Sequence, residues 1–164
     1  MPELEIRAAT ERDVPLILTL IKELAKYERL SHEVVATEEA LRDSLFGERR
    51  VAEALLGYLG GDPAGFALFF HNFSTFEGRS GIFLEDIYVV EGARGRGVGR
   101  KLMAHLAATA AARGCARLDL SVLDWNPARR FYDRLGMTQM IDWLNYRLTG
   151  PDLARLAAEA RDQD

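Results

Sequence analysis

The sequence predicts an α/β domain whose sheet carries both antiparallel and parallel strand pairs, with flanking helices. Three observations lead there. Strand-like segments in the first half are joined by a tight glycine-rich turn, those in the second half are separated by helical stretches, and 164 residues suit one domain with its own core. Residues 1–164 are accordingly expected to form a single domain, since periodicity shows no repeat, low-complexity tract or linker.

Leu4–Ala8 alternates as a short strand, and Thr10 with Asp13 three residues on has the pattern of a capping box. The helix it opens presents Ile17, Leu20, Ile21 and Leu24 on one stripe and ends near Tyr27. A second helix is expected from Thr37 to Phe46, with Gly47 taking the left-handed terminal position. Val51–Leu59 and Gly65–Phe73 read as a hairpin about Gly60-Gly61-Asp62-Pro63, and Ser80–Val90 as a longer strand. After a glycine-rich turn, Arg100–Arg113 is strongly helical and is closed by Gly114. Ala116–Val122 is expected as a strand, Pro127–Leu135 as a short helix stopped by Gly136, and Trp143–Leu148 as a last strand. Thr149, before Gly150-Pro151-Asp152, begins a terminal helix.

Composition narrows the function classes. With 21 basic and 25 acidic residues the chain carries −4 at pH 7, which argues against nucleic acid and mildly favours a small cationic partner. No apolar run approaches the ~20 residues that span a bilayer, and residues 1–13 lack the apolar stretch of an export signal, so a cytoplasmic protein without membrane contact is expected. Cys115 is the single cysteine and cannot form an internal disulfide, and His32, His71 and His105 are too few to suggest a metal centre.

Arg94-Gly95-Arg96-Gly97-Val98-Gly99 lies where a strand hands over to a helix. Alternate glycines there let backbone N–H groups converge, and the helix behind adds its positive end, so the turn reads as an anion site for a phosphate-bearing ligand. Arg94, Arg96, Arg100 and Lys101 add charge around it. The glycine spacing differs from a dinucleotide fingerprint, and Arg100-Lys101 stands where a P-loop needs Lys followed by Ser or Thr.

The pattern Arg94-x-x-Gly97-x-Gly99 resembles the acyl-CoA pyrophosphate loop of the GNAT superfamily of N-acetyltransferases. Leu20–Glu28, Leu84-Glu85-Asp86-Ile87-Tyr88-Val89 and Leu123-Asp124-Trp125-Asn126 are similar to the diamine (spermidine/spermine) and thialysine acetyltransferases, and the likeness covers nearly the whole chain. It implies a mixed, mostly antiparallel sheet with a central parallel split and flanking helices, acetyl-CoA as co-substrate, and a homodimer whose sites lie near the interface. The same resemblance assigns main-chain contacts with the acetyl and pantetheine groups to Ile87, Tyr88 and Val89, and assigns the loop residues Arg94 to Arg100, Val98 among them, to the coenzyme. Asn126, Ala128 and Arg129 match further coenzyme positions, although Asn126 and Ala128 are two residues apart where the family has three.

Acetyl transfer to an amine needs a base for the ammonium, a donor for the developing oxyanion, and a proton for the departing thiolate. Period two along the strand puts Phe83, Glu85, Ile87 and Val89 on one face, so Glu85 is expected as a carboxylate among apolar neighbours, its pKa raised by burial, and as the base. The resemblance also gives it the substrate amine. Asp86 is expected on the opposite face, bracing a loop. The N–H groups of Ile87 and Val89 are the natural oxyanion donors, and Tyr132 matches the family's general acid. Cys115 is expected as a small buried residue entering a strand, with His71 and His105 structural, so direct attack is preferred to an acetyl-cysteine. Tyr27, Glu28, Glu33 and Glu85 are expected to line an ammonium pocket, and Arg29 or Lys26 to supply a cation for an amino-acid carboxylate. Asp119, Ser121 and Trp143 match other acceptor-side positions of the family. The alternatives are an acetyltransferase acting on protein lysine or N-terminal amines, and a non-catalytic acyl-CoA-binding module.

Overall fold

A computed structural model describes residues 1–161. Their contacts form two compact units, Met1–Asn126 and a second beginning at Pro127. The first holds a five-stranded sheet of β1 (Leu4–Ala8), β2 (Glu53–Leu59), β3 (Asp62–Ser74), β4 (Arg79–Val89) and β5 (Leu118–Leu120), ordered across the sheet as along the chain. Neighbours from β1 to β4 are antiparallel, while β5 runs parallel to β4. The expected mixed sheet is therefore present, with its parallel pair at one edge of the described ladder.

The hairpin turn is shorter than the sequence suggests. Gly60 and Gly61 sit at φ 61° and 87°, and β3 already begins at Asp62 opposite Leu59. Two left-handed residues make the turn whose twist suits a two-residue hairpin, which is why two glycines occupy it.

Helices α1 (Val14–Tyr27) and α2 (Glu38–Phe46) pack Ile17, Leu20, Leu24 and Leu45 against Ala54, Leu56 and Phe66 of the sheet. Helix α3 (Val98–Ala112) buries Val98, Leu102 and Leu106 almost completely. Each such side chain contributes ~1.5–3 kcal/mol of apolar burial. Gly57 and Gly65 face each other across β2 and β3. A Cβ on Gly57 would come within 3.2 Å of both Ile6 and Val98, so its bareness lets α3 start against the sheet, and one on Gly65 would come within 2.5 Å of the Tyr88 carbonyl oxygen, so its bareness lets β4 lie close to β3. At the far end of α3, Gly114 is left-handed as expected, and Arg113 makes a two-pronged ion pair with Glu53 of β2 at 2.6 and 2.8 Å.

Helix α1 is aimed by a polar knot. The Asp13 carboxylate accepts from Arg7 Nη1 and Nη2 at 2.9 and 3.0 Å and from the Thr10 backbone N–H at 2.7 Å. Arg7 also donates to the Tyr58 hydroxyl at 2.7 Å, joining β1, β2 and the helix entry. Thr10 and Asp13 thus form the expected capping box, through one turn of 3-10 helix that precedes α1.

Three local expectations are corrected. Gly47 is extended, at φ −75° and ψ −174°. Glycine is needed there for a different reason, because a Cβ would lie 2.5 Å from the Asp43 carbonyl oxygen. Strand β5 covers only Leu118–Leu120 of the expected Ala116–Val122. In the second unit, α4 (Ala128–Arg134) and α5 (Gly150–Glu159) stand where helices are expected, and Gly136 is left-handed, but Trp143–Leu148 forms no strand. A strand exists only with a neighbour for its backbone, and no described segment pairs with this one.

The knot at Asp13 yields a direct test. Asp13→Ala leaves the Arg7 guanidinium without its carboxylate and uncaps the helix entry, so chemical denaturation is expected to register a loss of about 2 kcal/mol.

Candidate active site

The parallel ladder pairs Ile82 with Leu118, Phe83 with Asp119 and Leu84 with Leu120, and stops. Beyond Leu84, β4 runs on to Val89 with no β5 beside it. The Val90 N–H donates to the Ala64 carbonyl, on the β3 side. Because strand residues alternate in the direction of their backbone groups, Ile87 and Val89 turn theirs to the other side, where β5 has ended. The sheet thus opens beside the two residues expected to hold an acyl oxygen.

At the same place β4 carries a bulge. Leu68 pairs with Asp86 and Phe69 with Leu84, so Glu85 is an extra residue without a β3 counterpart. The bulge resets the alternation. Asp86 and Tyr88 now share the face of Phe66 and Leu68, on which α1 packs. This corrects the assignment of faces by period two: Glu85 is exposed, and Asp86 is the carboxyl turned into the structure. Burial, with Glu85 and then Glu28 nearby as negative charges, pushes Asp86 up to about 6. Burial also raises Glu28, just past the end of α1. Three carboxyl groups therefore converge, and the most perturbed is the one the sequence pattern set aside.

The glycine turn follows β4 through Glu91–Ala93. Gly95 and Gly97 are left-handed at φ 74° and 87°, and Gly97 caps α3. Left-handed residues leading into a helix start turn N–H groups toward a common point, which suits an anion. Arg96 and Arg100 are exposed and join no ion pair among the described residues, whereas the Lys101 ammonium is tied to the Leu4 carbonyl of β1. Lys101 is thus withdrawn from the expected cluster.

Arg94 is placed differently from its neighbours. Its Nε donates to the Val89 carbonyl at 3.0 Å, and its guanidinium lies 4.8 Å from the Tyr27 ring and 5.6 Å from the Tyr88 ring. Tyr27 in turn lies 6.1 Å from Trp125, over which Arg29 stacks at 5.3 Å. One ladder of cations and rings therefore joins the end of α1, the end of β4 and the loop after β5. Tyr27 thus lies between Arg94 and Trp125, and Glu28 close enough to Asp86 to act on its charge. Arg29 and Trp125 in this stack have no periodic signature, so the sequence does not single them out as a pair.

The remaining expected residues fall as follows. Asp119 lies below the opening, held by Arg117 at 3.4 Å and by the Asn72 amide at 3.3 Å. Ser121 and Glu33 are exposed, and Glu33 pairs with His32 at 3.5 Å. Asn126 is buried, with its N–H on the Leu123 carbonyl. In the second unit, Tyr132 is half-buried on α4 with its ring 5.4 Å from Phe131, Ala128 and Arg129 open the same helix, and Trp143 is exposed. Cys115, expected buried, is part-exposed, and the fold brings His71 to 3.8 Å from its sulfur. His71 is already committed: Nδ1–H donates to the Gly81 carbonyl at 3.0 Å and Nε2 accepts from Arg113 at 2.9 Å. It has no nitrogen left to take the thiol proton.

A model of the Acetyltransferase (GNAT) family matches residues 18–137, which span the opening, the bulge, the glycine turn and α4. The chain belongs to that family. This acetyltransferase is 40% identical to the thialysine N-epsilon-acetyltransferase of Bos taurus, over 94% of this chain and 97% of the relative. It is 31% identical to the L-ornithine N5-acetyltransferase NATA1 of Arabidopsis thaliana, over 90% of this chain and 85% of that one. Among solved structures, an integron cassette protein from the mobile metagenome of V. cholerae superposes with a TM-score of 0.77 at 29% identity, covering 94% of this chain and 97% of its own.

The acidic cluster leaves a mark on stability. Asp86 binds its proton more tightly folded than unfolded, so the folded enzyme holds more protons between pH ~3.8 and ~6 and loses stability as pH rises through that window. Asp86→Asn is expected to flatten this slope in urea titrations and to leave the acetyltransferase more stable than wild type at pH 7.

Proposed function

We propose that this acetyltransferase, working as a single domain over residues 1–164, moves the acetyl group of acetyl-CoA to the primary amine of a small diamine, polyamine or lysine-like amino acid by direct attack. The observation that carries the reading is the sheet opening past Leu84, which leaves the strand-free side of Ile87 and Val89 between an acidic cluster and a glycine turn. Gly95 and Gly97 with the start of α3, together with Arg96 and Arg100, fit a diphosphate, and the coenzyme supplies the thioester. Arg94 holds the turn to β4 and to Tyr27.

An ammonium with a pKa of ~10.4 is not a nucleophile until it gives up a proton. Glu85 and Asp86 take that proton as a pair. Asp86, pushed up to about 6, is a stronger base than an ordinary carboxylate and is still ionised at neutral pH. Backbone N–H groups of Ile87 and Val89 hold the carbonyl oxygen as negative charge develops on it. Tyr132 protonates the leaving thiolate, with Asn126, Ala128 and Arg129 contacting the coenzyme. Tyr27, Glu28, Ser121 and Trp143 belong to the acceptor side, with Asp119 beneath. The assignment to small amines draws support from the thialysine and ornithine acetyltransferases. A cytoplasmic homodimer completes the reading.

Release of free thiol from acetyl-CoA, followed against a panel of short amines, tests the proposal. Turnover is expected with ω-amino compounds, and Glu85→Gln, Asp86→Asn and Tyr132→Phe are each expected to lower kcat/KM by about 10²-fold or more. The acid limb of the wild-type pH profile is expected near 6 and is lost in Asp86→Asn. Turnover confined to peptides, or rates indifferent to all three substitutions, would overturn it.

A further inference from the structure

The end of α1 closes in a Schellman motif, with the Leu30 N–H on the Ala25 carbonyl at 2.8 Å and the Arg29 N–H on the Lys26 carbonyl at 3.1 Å. That motif asks for a left-handed residue in its penultimate place, ordinarily glycine. Arg29 occupies it at φ 61°, the one left-handed non-glycine among the described residues. A long cationic side chain gains nothing in the backbone by standing there, so the compensation for that strained position lies in what the side chain does. The guanidinium lies over the ring of the exposed Trp125, and no described carboxylate is within ion-pair distance of it.

Its surroundings give that side chain a use. Glu28 precedes it directly and interacts electrostatically with Asp86, beside Glu85. Within one turn of chain the pocket region therefore has a negative pole and a positive one, separated by the rings of Tyr27 and Trp125. A diamine or polyamine carries only cations and meets repulsion at Arg29. An amino acid with a terminal amine carries an ammonium for the acids and, a few carbons away, a carboxylate for the guanidinium.

We infer that Arg29, fixed on Trp125, recognises the α-carboxylate of the acceptor and makes this enzyme select ω-amino acids over plain diamines. The inference rests on the proposed acetyl transfer to small amines and narrows its substrate class. Arg29 acts on binding, leaving the chemistry to the carboxyl pair and Tyr132.

The matched pair L-ornithine and 1,4-diaminobutane, which differ by one carboxylate, tests it in the thiol-release assay. Wild type is expected to favour ornithine. Arg29→Gly is expected to lower the ornithine to diamine ratio of kcat/KM about tenfold or more, chiefly through the KM for ornithine, and Arg29→Lys to keep much of the preference. Glycine suits the left-handed position, so Arg29→Gly is also expected to melt at or above the wild-type temperature, which separates recognition from folding. A ratio unmoved by Arg29→Gly, or a wild type that favours the diamine, overturns the inference while acetyl transfer to small amines stands. Absence of turnover with every small amine overturns both.

Discussion

A strand pair can separate only where some other group takes up the backbone hydrogen bonds that the lost partner would have made. In this acetyltransferase β5 leaves β4 after Leu84, and the bulge at Glu85 falls on the next residue. The two events form one device. Separation leaves the backbone of Ile87 and Val89 without a strand partner, the Val89 carbonyl being taken up by Arg94, and the bulge rotates the following side chains so that Asp86 faces α1. The glycine turn follows the far end of the same strand, so a single stretch of chain from Glu85 to Gly99 connects the acids, the open backbone and the anion site.

Electrostatics then divides the labour among similar residues. Four basic side chains surround the glycine turn, but they do different things. Lys101 is spent on β1, Arg94 is held between Tyr27 and Tyr88, and Arg96 and Arg100 keep their charge in solvent. The acids differ likewise. Asp13 is held well below the ordinary range by Arg7, whereas Asp86 is raised by burial among its own kind. Position within the fold decides which carboxylate is a brace and which is a base.

Much of the fold was legible because its signals are local. The Thr10 and Asp13 capping box, the Gly60-Gly61 turn, the left-handed Gly114 and the strand-to-helix glycines each state their geometry within a few residues. The bulge was not legible, because Leu84-Glu85-Asp86-Ile87 reads as unbroken alternation and only the pairing with β3 exposes the extra residue. Glu85 was therefore expected in the place that Asp86 takes. The Arg29 stack was hidden for a related reason, since Trp125 lies far away in sequence. Trp143–Leu148 failed in the opposite sense, its alternation being good enough for a strand that has no described neighbour.

The facing glycines of β2 and β3 limit how this protein can be made more robust. Exchanging glycine for alanine commonly raises thermal endurance by restricting the unfolded chain. At Gly65 the added methyl would strike the Tyr88 carbonyl, in the segment that bears the open backbone, so hardening the scaffold there would disturb the catalyst. Gly92 has no neighbour within 4 Å of such a methyl and no left-handed backbone, which makes it the better place for an engineer to begin.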